Sequence, residues 1–383
     1  MTAPVGELEP IVARLRQSPL HALSLGSHEL FFSNLLGWVA EVFPAQVDAA
    51  LRTVLADASP GPATVEVRRE WRHLDVVIEL PGRAPLVIEN KSLAMPDGDQ
   101  LRRYDTVISA AVVKGTLRRP TKVLLSPTDP RWEEGEYRTS AEAVPWRWMS
   151  YGTLAESLAR QRWGAAGNYA EETVSELIEL LRVLEVLLTS RAARPRPDDP
   201  LELPTETVRL LQQARVHHVV RKARAHHVGD LVRRRLESEG LSESVRIRTG
   251  MTNSLTLVDG LPKWEEETDA EPDRHNWFQW QIQGGQLRLA VVLPTMTGRT
   301  TEARDRRIAV AERHLRWFDF EPARQVLGDR CGSPTKKWLR FDPDFVYRNI
   351  KISDARVSDV VDLAVVYSRR LADAGIPIVS SDA

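Results

Sequence analysis

The sequence predicts an α/β domain followed by an α+β domain, and three observations carry that expectation. Through the first half, apolar residues recur at helical spacing, then at strand spacing, then at helical spacing again, an order that builds a mixed sheet flanked by helices. The stretch RAARPRPDDPLELP at 191–204 is rich in proline and charge and has no apolar period, so it reads as a linker. The chain has 383 residues, more than one domain usually holds. We therefore expect domains over 1–190 and 205–383.

Each element has its own warrant. In GSHELFFSNLLGWVAEVFP, Ser27 is a candidate N-cap, Leu30, Phe31, Leu35, Trp38, Val39 and Val42 recur at helical spacing, and Pro44 stops the helix. A second helix is expected at 46–56. TVEVRREW alternates as a half-buried strand and HLDVVIEL follows it. Pro81-Gly82 then turns the chain into PLVIENKS, whose run Leu86, Val87, Ile88 reads as a buried strand. GDQLRRYDTVISAAVVKG reads as a crossover helix, TKVLLS and VPWRWMSY as strands, and 152–162 and 170–190 as helices. Beyond the linker, TETVRLLQQARVHHVVRKARAHHVGDLVRRRLE reads as one long basic helix. VRIRT and SLTLV read as short strands, and WFQWQIQGGQLRLAVVL as two strands around a Gly-Gly turn. Helices near 300–316 and 353–374 close the second domain.

Composition narrows the partners. Charged residues make up 27% of the chain and the net charge is -1, so a polyanion must be met by a local basic patch. Cys331 is the single cysteine, which excludes an internal disulfide and fits a reducing cytoplasm. No apolar run approaches the roughly 20 residues of a membrane span, and MTAPVGELEP lacks the basic and apolar regions of a secretory signal. The expectation is a cytoplasmic protein without a membrane partner.

The strand PLVIENKS ends in Glu89, Asn90 and Lys91 instead of turn residues. Side chains two apart on a strand share a face, so a carboxylate and an ammonium point the same way from its tip. Asp75 interrupts the apolar strand before it, where an unpaired carboxylate is costly to desolvate. A tight turn joins the two strands, so Asp75 and Glu89 can meet at one end of a hairpin. Converging carboxylates need a proton or a cation between them, and a hard divalent ion such as Mg²⁺ suits oxygen ligands. With Lys91 beside them to hold or activate a water, the set is that of a hydrolytic site for phosphodiesters.

Asp75 followed after a hairpin by Glu89-Asn90-Lys91 resembles the D…(D/E)xK signature of the PD-(D/E)XK nuclease superfamily, whose fold serves restriction endonucleases and RecB-type nucleases. Gln100 and Tyr104, four apart on the next helix, resemble the QxxxY motif of the RecB-like branch. Glu29 sits where the superfamily often carries an additional metal-site glutamate. Leu74 stands where the superfamily's name has proline. The resemblance implies a restriction-endonuclease-like core with a central mixed sheet, extending to about residue 160. It implies Mg²⁺, with Mn²⁺ as a substitute, on Asp75, Glu89 and the Asn90 backbone carbonyl, with Glu29 as a further ligand, direct or through water. Lys91 would position or deprotonate the attacking water, and Gln100 and Tyr104 would orient the site and touch the substrate phosphate. The implied activity is cleavage of nucleic acid, DNA first, in defence against foreign DNA or in repair.

The second domain offers other candidates. Arg215, Arg221, Lys222, Arg224, Arg233, Arg234 and Arg235 make its first helix basic, fit for phosphate contacts or for a solvated face. His217-His218 and His226-His227 lack a cysteine or carboxylate at metal-ligand spacing. Trp277, Phe278 and Trp280 could stack bases or fill a core. Substrate selection, oligomerisation or a protein partner are the roles left open for this domain. A non-cleaving binding module on the same fold is the alternative function.

Overall fold

The computed structural model describes residues 5–25, 28–54, 65–79, 82–91, 98–130, 132, 135–140, 143–163, 168–252, 255–262, 276–296, 298–341, 344–352 and 354–374. The expected N-cap Ser27 lies outside them, as do Pro81, Ser92 and the side chain of Glu29. The chain divides into two compact units. One comprises Gly6–Ser190 with Leu210–Val216, and the other Met1–Val5, Arg191–Arg209 and His217–Ala383. Among the described residues no single helix is long and apolar enough to cross a membrane.

The first unit opens with α1 (Val5–Gln17), α2 (Pro19–Ser24), α3 (His28–Val42) and α4 (Pro44–Val54). There follow β1 (Glu66–Trp71), β2 (Leu74–Glu79), β3 (Leu86–Asn90), α5 (Gly98–Val113), β4 (Thr121–Leu125), β5 (Glu136–Tyr137), β6 (Trp146–Met149), α6 (Tyr151–Ala159) and α7 (Asn168–Thr189). The sheet runs β1-β2-β3-β4-β6-β5. β2 is antiparallel to β1 and β3, while β3, β4 and β6 are parallel. The parallel step from β3 to β4 is made by α5, since parallel neighbours cannot be joined by a hairpin. All five residues of β3 are buried, as its apolar run requires at the centre of a covered sheet.

Val77 lies opposite Val87, and both join Leu101, Ile108 and Ala111 of α5 in one core cluster. Alternation therefore turns Asp75 and Glu89, each two residues away, to the face that carries α5. Ile88 and Asn90 turn to the opposite face.

The second unit holds α8 (Thr205–Gln213, shared with the first), α9 (His217–Ser238), β7 (Val245–Thr252), β8 (Leu255–Pro262), β9 (Trp277–Gln283) and β10 (Gln286–Val292). It continues with α10 (Thr301–Arg313), α11 (Glu321–Leu327), β11 (Leu339–Phe341), β12 (Phe345–Lys351) and α12 (Val357–Ala374). Its sheet, β11-β12-β10-β9-β8-β7, is antiparallel throughout. One face is apolar: Val258, Ile282, Leu287, Leu289, Val291 and Ile350 share a core with Val228 and Val232 of α9 and Leu363 of α12.

The single basic helix expected over 205–237 is two helices. Arg215 takes a left-handed backbone with φ 56°. The Val216 amide bonds back to the Leu211 carbonyl at 3.1 Å, a helix-ending turn. Glycine usually occupies such a position; here Leu211 and Val216, both fully buried, hold the turn instead.

Candidate active site

Glu89 and Asn90 end the central strand β3, and their side chains go to opposite faces. On the α5 face the Glu89 carboxylate is fully buried at 0% exposure. Its Oε1 takes three donors: Lys91 Nζ at 2.7 Å, Tyr104 OH at 3.2 Å and Gln100 Nε2 at 3.4 Å. Gln100 also donates to the Tyr104 hydroxyl at 2.6 Å, so the two α5 residues act as one clamp. The other oxygen, Oε2, is buried and has no hydrogen-bond partner among the described residues. A carboxylate oriented on one oxygen and left bare on the other is costly to bury unless a cation or proton answers it.

Asp75 stands one position beyond the last paired residues of β2 and β3, Val76 and Ile88. Its Oδ2 accepts the Asn90 backbone N–H at 2.7 Å, taking the place of the next ladder bond. On the opposite face, Asn90 Oδ1 accepts from Tyr151 OH at 2.9 Å, and its amide approaches Ser33 Oγ on α3 at 3.5 Å. The strand tip is thus held from both faces.

Burial pushes the Glu89 carboxyl up to about 7, and the charge of Asp75 pushes the same way, against Lys91 and the hydrogen bonds from Lys91 and Tyr104. Burial, with the charge of Glu89, also raises the Tyr104 hydroxyl. Two carboxylates that repel each other, with a bare buried oxygen, make an all-oxygen donor set that suits a hard divalent cation. Among the described residues no group of three or more His, Cys, Asp or Glu gathers for a metal.

All the site residues named from the sequence except Glu29, whose side chain lies outside the described residues, meet around Glu89 or Asn90. A second cluster was not foreseen. Asp105, next to Tyr104 on α5, accepts from Lys122 Nζ of β4 at 2.5 Å, Trp146 Nε1 of β6 at 3.1 Å and the Thr139 hydroxyl. This ties the clamp helix to the sheet. The signal in the sequence was Lys122 itself, a cation inside the strand TKVLLS.

Of the basic residues named from the sequence, Arg224 alone is buried, Arg221, Lys222 and Arg233 are half-buried, and Arg215, Arg234 and Arg235 are exposed. Arg224 is buried and donates to the carbonyls of Leu201 and Ala192 at 2.8 Å each, and to that of Pro200. Arg233 pairs with Asp230 at 2.6 Å and Arg235 with Glu239 at 2.9 Å. His226 is buried against the Thr249 hydroxyl, Nδ1 to Oγ1 2.7 Å, and burial pushes it down to about 3. His217 and His218 lie ring against ring at 3.8 Å. Phe278 and Trp280 pack in the core, whereas Trp277 turns to the other face of the sheet.

Residues 20–176 match the family model described as the PD-(D/E)XK nuclease superfamily. No curated protein and no solved structure matches the chain.

Proposed function

Since the chain belongs, through residues 20–176, to the PD-(D/E)XK nuclease superfamily, we propose that it is a divalent-metal-dependent nuclease acting on DNA, with Mg²⁺ as the metal and Mn²⁺ as a working substitute. The observation that carries this reading is Glu89, clamped on Oε1 by Lys91, Gln100 and Tyr104 and bare on Oε2. Glu89 Oε2, the Asp75 carboxylate and the Asn90 backbone carbonyl would hold the ion, with Glu29 as a further ligand. Such an ion, when bound, neutralises charge developing on the phosphoryl oxygens and acidifies a bound water.

The chain's own residues do the rest. Gln100 and Tyr104 fix the rotamer of Glu89 before substrate arrives, so little reorganisation is left for the reaction. Lys91, buried beside the same carboxylate, aligns the attacking water and offers positive charge to the phosphorane-like transition state. Asp75, by capping the Asn90 amide, keeps the strand tip from fraying. We take residues 205–383 as the part that selects substrate, and a reducing cytoplasm, with defence against foreign DNA or repair, as the setting.

A plasmid-nicking assay in Mg²⁺ or Mn²⁺ tests this. Wild type should nick, and Lys91→Ala should lose nicking while still binding DNA, because both carboxylates remain. Tyr104→Phe should slow cleavage about tenfold, the size of a lost orienting hydrogen bond. A wild type that cleaves no form of DNA or RNA with either ion would overturn the proposal.

A further inference from the structure

The second unit's sheet has a face that its helices do not use. Strand register lays its side chains out in transverse rows. Arg248, Asp259, Gln281, Arg288 and Asn349 form one row across β7, β8, β9, β10 and β12. Beside it run Gln283, Gln286 and Lys351 on one flank, and Gln279, Ala290 and Tyr347 on the other. Arg246 lies two residues from Arg248 on the same face of β7. At one corner Trp277 and Tyr347 pack on Val292 and Phe345.

Two features set this face apart from an ordinary wet one. The first is charge: among its described strand residues Arg246, Arg248, Arg288 and Lys351 are cations, and Asp259 is the one acid. That acid is buried and engaged by Arg248 at 2.9 Å and Gln279 at 2.6 Å. A local excess of three positive charges stands out in a chain of net charge -1. The second is composition, since aromatic rings and long amides sit among those cations. Arg288 lies over the Tyr347 ring at 4.9 Å and donates to Gln281 Oε1 at 3.1 Å, so guanidinium, ring and amide form one surface. Arg248 and Lys351 are exposed, Trp277, Gln281, Gln286, Arg288 and Tyr347 half-buried, and Gln279, Gln283, Ala290 and Asn349 buried beneath them.

We infer that this face binds single-stranded nucleic acid. Cations spaced across the sheet answer a phosphate backbone, aromatic rings stack on bases, and the half-buried amides of Gln281 and Gln286 bond base edges. A duplex offers neither base faces nor a surface that follows the sheet. The inference takes nucleic acid as the substrate class from the nuclease reading, but the binding needs no metal.

Fluorescence anisotropy of the full chain in EDTA, with labelled oligonucleotides of about 12 nucleotides, tests it on single-stranded DNA, single-stranded RNA and a DNA duplex. Single strands should bind more tightly than the duplex, and the two single-stranded arms tell deoxyribose from ribose. Lys351→Gln, at an exposed position, and Arg288→Gln should each weaken binding about three- to tenfold and flatten the salt dependence by about 0.7 in log–log slope. Tyr347→Ser should weaken it about tenfold, and Tyr347→Phe should restore it. Absence of single-strand binding at low salt, preference for the duplex, or variants that bind as wild type would overturn the inference. A chain that binds through this face yet cleaves nothing sinks the nuclease reading alone. One that cleaves while these variants bind normally sinks this inference alone.

Discussion

Glu89 carries the first prediction. Its carboxyl ionises near 7 in the folded protein, against an ordinary 4.5. Between those values the folded state holds a proton that the unfolded chain has released. The associated stability is therefore full below 4.5 and is lost as pH rises through 7. At about 1.4 kcal/mol per unit, the span is worth roughly 3 kcal/mol. Melts in chelator from pH 5 to 8 should show wild type losing about that much more than Glu89→Gln, and a saturating divalent cation should remove the difference. Equal pH slopes for the two proteins would contradict it. Asp75 gives the second. Asp75→Asn keeps an oxygen for the Asn90 N–H, whereas Asp75→Ala leaves a buried donor unpaired at about 1–3 kcal/mol. Both should lose cleavage, and only the alanine should lower the melting temperature. If asparagine destabilises as much as alanine, the cap is not what Asp75 contributes.

At the scale of elements, α5 is fixed by Asp105, and Lys122 is the buried partner that crosses from β4 to meet it. Lys122→Met should cost about 3 kcal/mol by stripping a buried pair of its cation. It should also raise the metal concentration needed for cleavage, since α5 carries both clamp residues. On α9, Gly229 has the opposite sensitivity: a Cβ there would lie 1.9 Å from Thr249 Cγ2. Thr249 is itself tied to His226, so Gly229→Ala should cost about 1–3 kcal/mol by overpacking, read from denaturant midpoints. These elements also show what a sequence can tell. The β2–β3 hairpin and α5 were legible because apolar alternation, turn residues and the Glu89-Asn90-Lys91 tip agree locally. The Arg72–His73 turn was not, since both residues take positive φ, 55° and 71°, without the glycine or asparagine that announces such a turn. The break at Arg215 was hidden for the same reason: tertiary burial of Leu211 and Val216 imposed a conformation that the local residues do not ask for. α1 went unread because Pro10 sits inside it. β12 carries apolar residues on both faces, Phe345 and Tyr347 on one and Val346 and Ile350 on the other, and so lacks a clean period.

For the whole molecule, each of the two compact units has a buried core cluster of its own. Leu74, Val87, Leu101 and Trp146 belong to the first, and Val258, Trp280, Leu289 and Leu363 to the second. Cooperative unfolding is a property of a shared core, so calorimetry should resolve two transitions rather than one. A ligand stabilises only the unit that binds it. Mg²⁺ at a hundredfold excess over its dissociation constant should raise one transition by the equivalent of about 2.7 kcal/mol. That transition should be the one lowered by Lys122→Met and left alone by Gly229→Ala, because Asp75 and Glu89 share a unit with Lys122. Gly229→Ala should lower the other, which Mg²⁺ leaves in place. Asp75→Asn should erase the Mg²⁺ shift without lowering either transition in chelator. A single transition displaced alike by the ion and by both variants would mean that the cores unfold together, and the assignment of the metal to one unit would have to rest on cleavage data alone.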